Sequence, residues 1–441
     1  MNFYEYLNAM IENRTKNALL LMFLLTLFSA QAQSQTRQSL SIDSCYAKAR
    51  RNYPLIHQFG LIEQSKSYSI ENVSKGYLPQ ITVAGQATYQ SDVTQPMLNQ
   101  NLPGTLPLFE TISKDQYKLY GEVVQPITDL FTLGNQKELV DVNAGVEAQK
   151  IEVELYRLHE RIDQLFFGML LIELQVEQNE IVKKDINAGI EKTTAAIANG
   201  TALKSNLSLL KAELLKAEQR TTELKAGWKS YADMLGLFTR ETITTETKLQ
   251  RPPVPQFSTS VNRPELQLYE LQKQVFDVQG NIVNTRNLPR FSLFFQGGAG
   301  RPALNFLSND FEMYCITGLR VNWNISNFYT SGRDKEILQF NRETVDLQKQ
   351  TFLFNTNLTL KQQMNETAKT EALIKTDEEI IALREEIKNT ARNQLENGTI
   401  SVIDYVSYVN AEDQARQNLM LHQVQLLMVL YNNKTTTGNH N

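Results

Sequence analysis

The side chains that could do covalent or metal chemistry are few and scattered. Of the four histidines, His57, His159, His422 and His440, no two share a metal-ligand spacing, and no cysteine cluster could join them. His159 and Asp163 lie one helical turn apart and read as a surface pair. Gly297-Gly298-Ala299-Gly300 is glycine-rich, but a strand surrounds it where a phosphate loop would open a helix. No serine or cysteine stands in a recognisable nucleophile setting. The charge runs Asp377-Glu378-Glu379 and Arg384-Glu385-Glu386 fall on a helical stretch and read as a solvated face. Cys45 and Cys315 have no counterparts elsewhere in the chain and read as two unpaired thiols. The expectation is a protein that is not an enzyme, with no cofactor and no metal.

The chemistry therefore has to be that of surfaces. A net charge of −4 gives no case for nucleic acid. Only 21% of residues are charged, yet the mean hydropathy of −0.35 argues against a bundle of membrane helices. Arg14 and Lys16 precede an apolar run from Ala18 to Phe28, and Ser29-Ala30-Gln31-Ala32 follows. That is the pattern of a secretory signal, with Gln33 expected as the first mature residue. The run is too short for a membrane-spanning helix, and no cysteine marks a lipoprotein.

Four landmarks recur along the chain in the same order. Asn52-Tyr53-Pro54-Leu55 returns as Arg263-Pro264-Glu265-Leu266, and Tyr77-Leu78-Pro79-Gln80 as Asn287-Leu288-Pro289-Arg290, each 210 residues on. The segment from Gln125 to Gly134 returns from Trp323 to Gly332, and Asn199-Gly200-Thr201 as Asn397-Gly398-Thr399, each 198 residues on. The unit is far longer than a solenoid repeat and reads as a duplicated half-protein.

Within each half, apolar and polar residues first alternate with period two. Ile81, Val83, Gly85, Ala87 and Tyr89 oppose Gln80, Thr82, Ala84, Gln86 and Thr88. In the second half Phe291, Leu293 and Phe295 oppose Arg290, Ser292 and Gln296, with Phe294 breaking the polar face. A second strand follows in each half, around Tyr117 to Val123 and Met313 to Trp323. Runs of about ten residues are the length of a tilted membrane strand. The loops between the strands, Pro96 to Gly104 and Arg301 to Asp310, are rich in Pro, Gly, Asn and Asp.

The period then becomes helical. Leu155, Leu158, Ile162, Leu165, Met169, Ile172 and Val176 step by three and four inside a helix expected from Gln136 to about Ala198. The matching helix, Asp334 to about Glu396, carries Leu338, Val345 and Phe352, then Leu373, Ile380 and Ile387, each seven apart. Asn-Gly stops both helices, and a returning helix follows each. A further helix precedes the strands, from Ile42 to Val73 and from Arg263 to Asn284. Residues 1–32 read as the signal, 33–236 as the first repeat, 237–262 as a proline-rich connection, 263–432 as the second repeat and 433–441 as a disordered tail.

Four amphipathic strands cannot span a membrane alone, because an open sheet leaves its edge amides unpaired in lipid. Several copies would have to close one barrel. Here the chain resembles the TolC-type outer-membrane efflux proteins, from about Ser41 to Tyr431. The resemblance rests on the proline pairs, the strand ends before each long helix and the Gly200-Thr201 and Gly398-Thr399 turns. It implies an α+β membrane protein, internally duplicated. Three protomers would form a 12-stranded transmembrane β-barrel, four strands from each, continuing into a long periplasmic α-helical barrel. The implied function is an exit duct in the outer membrane. It passively conducts the substrates of an inner-membrane pump in an efflux or type I secretion system, with a periplasmic adaptor (membrane fusion protein) as partner. A periplasmic adaptor or a structural coiled-coil protein of the envelope is the alternative; an adaptor has one helical hairpin where this chain has two.

The resemblance assigns adaptor docking to the two hairpin tips, where Gly200, Thr201, Ala202 and Leu203 flank one turn and Gly398, Thr399, Ile400 and Val402 the other. It also points to a carboxylate gate just past the second tip. Asp404 matches the first position of the family's aspartate pair; Ser407 departs from the second, and Asn206 is the counterpart of Asp404 in the first half. Val83, Phe291, Leu293 and Leu319 are expected to face lipid.

Overall fold

A computed structural model describes residues 39–94 and 112–439. The signal read over residues 1–32, the loop around Pro96 to Gly104 and His440 lie outside the described residues. The described chain runs β1 (Ser39–Leu40), α1 (Ile42–Asn52), a 3-10 turn (Pro54–His57), α2 (Gln58–Lys75), β2 (Gln80–Tyr89) and β3 (Asp115–Pro126). It continues with α3 (Asp129–Tyr156), α4 (Leu158–Ala198), α5 (Lys204–Thr239), β4 (Lys248–Leu249) and α6 (Pro264–Arg286). The last elements are β5 (Arg290–Arg301), β6 (Glu312–Asn322), α7 (Asn327–Glu396) and α8 (Val402–Thr437).

Expected boundaries move in three regions. Pro54 holds Tyr53 in extended backbone (φ −68°, ψ 130°), so the helix expected from Ile42 to Val73 divides around a 3-10 turn. The first long helix starts earlier than Gln136, at Asp129, and is interrupted at Arg157. Its counterpart α7 is uninterrupted for 70 residues, ~105 Å of helix at ~1.5 Å per residue.

The third change is at the C-terminus. The tail expected to be disordered from residue 433 is helical through Thr437, and Asn433 and Thr437 are fully buried. The Asn433 amide explains this. Its Nδ2 donates to Ser258 O at 3.0 Å and its Oδ1 accepts from Ser258 N at 2.8 Å, so a backbone peptide takes the place of water. Asn262 N adds a bond to Thr437 O at 2.5 Å. The connection to the second half thus lies against the end of α8.

The helices and strands make two compact units. One holds Gln164–Val254 and Asp377–Val424 with the segment up to Ala49; the other holds Arg50–Asp163, Pro255–Thr376 and the residues from Gln425 on. In the first unit α4, α5, α7 and α8 bury a core of Val182, Ile186, Leu210, Ala391, Tyr405 and Val409. The second contains a four-stranded antiparallel sheet in the order β2-β3-β5-β6. Here too Arg263 pairs with Glu265, donates to Thr435 O at 3.1 Å and stacks over the Tyr156 ring at 4.7 Å. Tyr156 Oη donates to the same carbonyl at 2.7 Å. The order helix, two strands, long helical stretch, turn and returning helix occurs twice along the chain.

Candidate functional site

The sheet sorts its side chains by register. Paired residues in neighbouring strands share a face. Val83 pairs with Gly121, Gly121 with Gly297 and Gly297 with Cys315. Val123 pairs with Phe295, and Leu293 with Leu319. Ile81, Val83, Leu119, Phe295, Leu319 and Val321 thus fall on one apolar face, and all are exposed, Val83 at 78%. The expected lipid-facing residues Val83, Phe291, Leu293 and Leu319 all share this face.

The opposite face is polar, and Phe294 fits it after all. The Arg320 guanidinium lies over the Phe294 ring at 4.6 Å, and the cross-strand partner of Phe294 is Gly318. A Cβ on Gly318 would stand 3.2 Å from Phe294 Cε1, so the glycine leaves the ring its room. Gly298 is stricter: a Cβ there would meet Leu119 O at 2.3 Å.

At the end of the sheet where α3 and α7 begin, large apolar groups are bare. Phe131 is 82% exposed, and Leu78, Leu288, Trp323 and Tyr329 are exposed with it. Trp323 packs edge-on to Phe328 and donates its Nε1–H to Asn287 O at 3.0 Å. An aromatic with one apolar side and one satisfied polar atom suits a membrane–water boundary.

The two hairpin tips close with the same geometry. Gly200 (φ 72°) and Gly398 (φ 67°) occupy the left-handed region, with open space where a Cβ would be. Thr201 N donates to Ala196 O at 2.8 Å and Thr399 N to Gln394 O at 2.9 Å, and both threonine hydroxyls reach the same carbonyls. This five-residue return bond is the Schellman ending that favours glycine. Between the tips, in one unit, lies a cleft of about 680 Å³ lined by Ala195, Thr201, Asn206, Leu395, Ile400 and Val402, among others.

The exposed tip residues differ from those expected. Leu203 is 70% exposed as anticipated. Val402 is not free: at 4% exposure it joins the core around Tyr405, and Ile400 packs partly against the same core. Ile403, missed in the sequence, is 67% exposed. The helical phase at the start of α8 decides which neighbour points inward, and no periodic run sets that phase before residue 402.

Asp404 sets it instead. Asp404 N–H donates to Ser401 Oγ at 3.2 Å; Asp404 Oδ2 accepts from Ser401 N at 3.1 Å and from Ser401 Oγ at 2.6 Å. This is a reciprocal capping box at the N-terminus of α8. The Ser401 hydroxyl and backbone N–H hold the Asp404 carboxyl below its usual range. The first half has no such device: Leu203, at the N-cap of α5, makes no side-chain cap bond.

Further from the tip, Lys388 stands between Asp185 (3.0 Å) and Glu412 (3.2 Å). Arg392 also reaches Asp185 at 2.9 Å, and Arg416 pairs with Glu412 and, at 3.1 Å, with Glu385. Burial alone would lower the Lys388 pKa; its two carboxylate partners more than offset that and raise it.

Two sequence readings need correction. The His159–Asp163 pair is not on the surface: Asp163 is fully buried and accepts from Thr435 Oγ1 at 3.4 Å. Burial holds the His159 imidazole below its ordinary pKa. Asp377 does not lie on a solvated face, since it is buried and 2.5 Å from His422 Nδ1. Both cysteines are free, Cys45 buried and Cys315 exposed.

No family model matches the chain, and no curated protein matches it. Solved structures do. The chain aligns over 90% of its length with CusC, a protein studied for transmembrane channel formation, at 12% identity, 91% of that chain and a TM-score of 0.62. It aligns over 90% with the outer membrane protein VceC of Vibrio cholerae at 12% identity, 96% of that chain and 0.62. For the CmeC outer membrane channel of Campylobacter jejuni the values are 90%, 11% identity, 85% and 0.62. At such identities the likeness is one of fold, and the chain has the fold of these outer-membrane channels.

Proposed function

We propose that this chain is one protomer of a trimeric outer-membrane exit channel of the TolC type, internally duplicated, which passively conducts substrates handed on by an inner-membrane pump. The observation that carries the reading is an apolar sheet face with both edges open. β2 and β6 are edge strands within the chain. A lone sheet would leave a row of backbone groups unpaired in lipid, at several kcal/mol each. Pairing β6 of one copy with β2 of the next satisfies both edges, and three copies of four strands make twelve. The helices ask for the same neighbours: Leu373, Ile380 and Ile387, a heptad seam on α7, are exposed in the single chain. The bare Phe131, Trp323 and Tyr329 mark the periplasmic boundary of the bilayer.

The long helices would then line a periplasmic tunnel, and the cleft between the tips would receive the helical tip of an adaptor, with Leu203, Ile403 and the edge of Ile400 as its apolar contacts. Thr201, Ala202, Gly398 and Val402 line that cleft, and Gly200 and Thr399 complete the two turns beside it. Asp404 and Asn206 stand near the entrance.

Light scattering on detergent-purified protein should give three protomer masses, and cell fractionation should recover the protein with outer membranes. A folded monomer, or release with the soluble periplasm, would favour an adaptor or an envelope coiled-coil protein instead.

A further inference from the structure

The charges on the polar face of the sheet do not cancel. Lys118 and Glu312 flank Gly300 in one cross-strand row, one of each sign. Arg320 reaches across β5 to Glu122 at 2.6 Å. Arg290, on the same face and paired in register with Asn322, has no carboxylate partner among the described residues. Its row adjoins that of Ser292 and Arg320, so the two guanidiniums are diagonal neighbours. Two cations and one carboxylate therefore gather at the helix end of the sheet. The surrounding side chains on that face, Gln80, Ser292, Gln296 and Asn322, are neutral.

We infer that the helix-side mouth of the barrel carries a positive ring, built on Arg290 and Arg320, that favours the passage of small anions and anionic solutes. The inference rests on the channel reading above, which turns the polar face inward and repeats the ring around the pore axis. Arg320 is held by Glu122 and the Phe294 ring, so it contributes fixed geometry. Arg290 is exposed and contributes the uncompensated charge. A ring of this kind acts by its field and needs no contact with the solute. Its reach follows the screening length, ~30 Å at 0.01 M salt and ~3 Å at 1 M.

The test is the reversal potential of single channels under a potassium chloride gradient, in the wild type, Arg290→Gln and Glu122→Gln. Arg290→Gln should shift the reversal potential towards cation preference. Glu122→Gln, which removes the only carboxylate of the cluster, should shift it the other way. Both shifts should be largest near ~0.01 M salt and fade by ~1 M. An unchanged reversal potential in Arg290→Gln channels of wild-type conductance would overturn the ring. Folded trimers that pass no current at all would instead overturn the channel reading.

Discussion

Phe295 stands at the middle of β5, on the apolar face, paired with Val123 on one side and Thr317 on the other. Leu293 lies two residues nearer the helix end, on the same face. At ~3.3 Å per residue and a tilt of ~40°, that is ~5 Å of depth. In the proposed barrel, whose apolar band would be ~25 Å tall, Phe295 would sit near the midplane and Leu293 part-way to the boundary. An arginine at the midplane costs ~2–4 kcal/mol and one near the interface ~0–1. Phe295→Arg should therefore cost ~3–4 kcal/mol and Leu293→Arg ~2. Gln296→Arg, one residue on but facing the polar side between Glu122 and Ile316, should cost close to nothing. The assay is unfolding of the lipid-reconstituted protein by denaturant, backed by the amount of assembled protein in outer membranes. The order of the three variants is the informative result. Equal losses for Phe295→Arg and Gln296→Arg would refute the assignment of faces, and a larger loss for Leu293→Arg than for Phe295→Arg would refute the placement of the midplane.

Further outcomes are expected at the tips and in the ion-pair cluster. Gly398→Val forces a β-branched residue to a φ of 67°, a strain of ~1–2 kcal/mol confined to the tip, so export should fail while the outer-membrane level of the trimer stays normal. Ser401→Ala should cost α8 ~1 kcal/mol of cap stability; because the Asp404 carboxyl is held below its usual range, the cap should be intact above about pH 4 and weaken as pH falls through the lowered value. If Asp404 also forms an entrance ring, Asp404→Asn will weaken current block by divalent cations; unchanged block leaves it a cap alone. Lys388→Ala leaves buried Glu412 and half-buried Asp185 with one arginine each, so its cost should be near the lower end of that for a broken buried pair, ~3 kcal/mol, seen as a lowered thermal midpoint of the purified protein. The exposed pair Lys192–Glu396 should by contrast be worth under ~1 kcal/mol.

Much of the sheet was legible because a strand has a period of two and no choice of phase. Once Val83 is on a face, Ile81 and Ala87 are too, and the register adds only which strand lies beside which. The buried seam from Leu155 to Met169 was legible for a similar reason, since five positions fix a helical stripe. What could not be read was set by single contacts between segments distant in sequence. Nothing near Asn433 announces that its amide will meet Ser258, 175 residues away, and a run of Asn, Lys and Thr reads as a loose tail until that bond is known. His159 and Asp163 are polar residues beside the seam residues Leu158 and Ile162, and nothing near them in sequence announces that Asp163 will meet Thr435, 272 residues away. The interruption at Arg157, whose N–H reaches Val153 O only at 3.4 Å, has no signal in the residues around it.

The second tip shows how one short pattern can carry two meanings. Ser401-Val402-Ile403-Asp404 is a capping signature, serine followed three residues later by an acid, before an apolar run. Read for chemistry, Asp404 was a gate; read for local structure, it fixes the first turn of α8 and thereby turns Val402 inward and Ile403 outward. The first tip, with Leu203 where the second has Ser401, begins its returning helix uncapped. Two turns with matching glycine geometry thus present different surfaces: one apolar residue before the helix starts, the other one full position inside it. A partner that docks on both tips meets two distinct apolar contacts in each protomer. Exchanging them, Leu203→Ser with Ser401→Leu, would move the cap from α8 to α5 and should weaken docking, although the apolar composition of the pair of tips is unchanged.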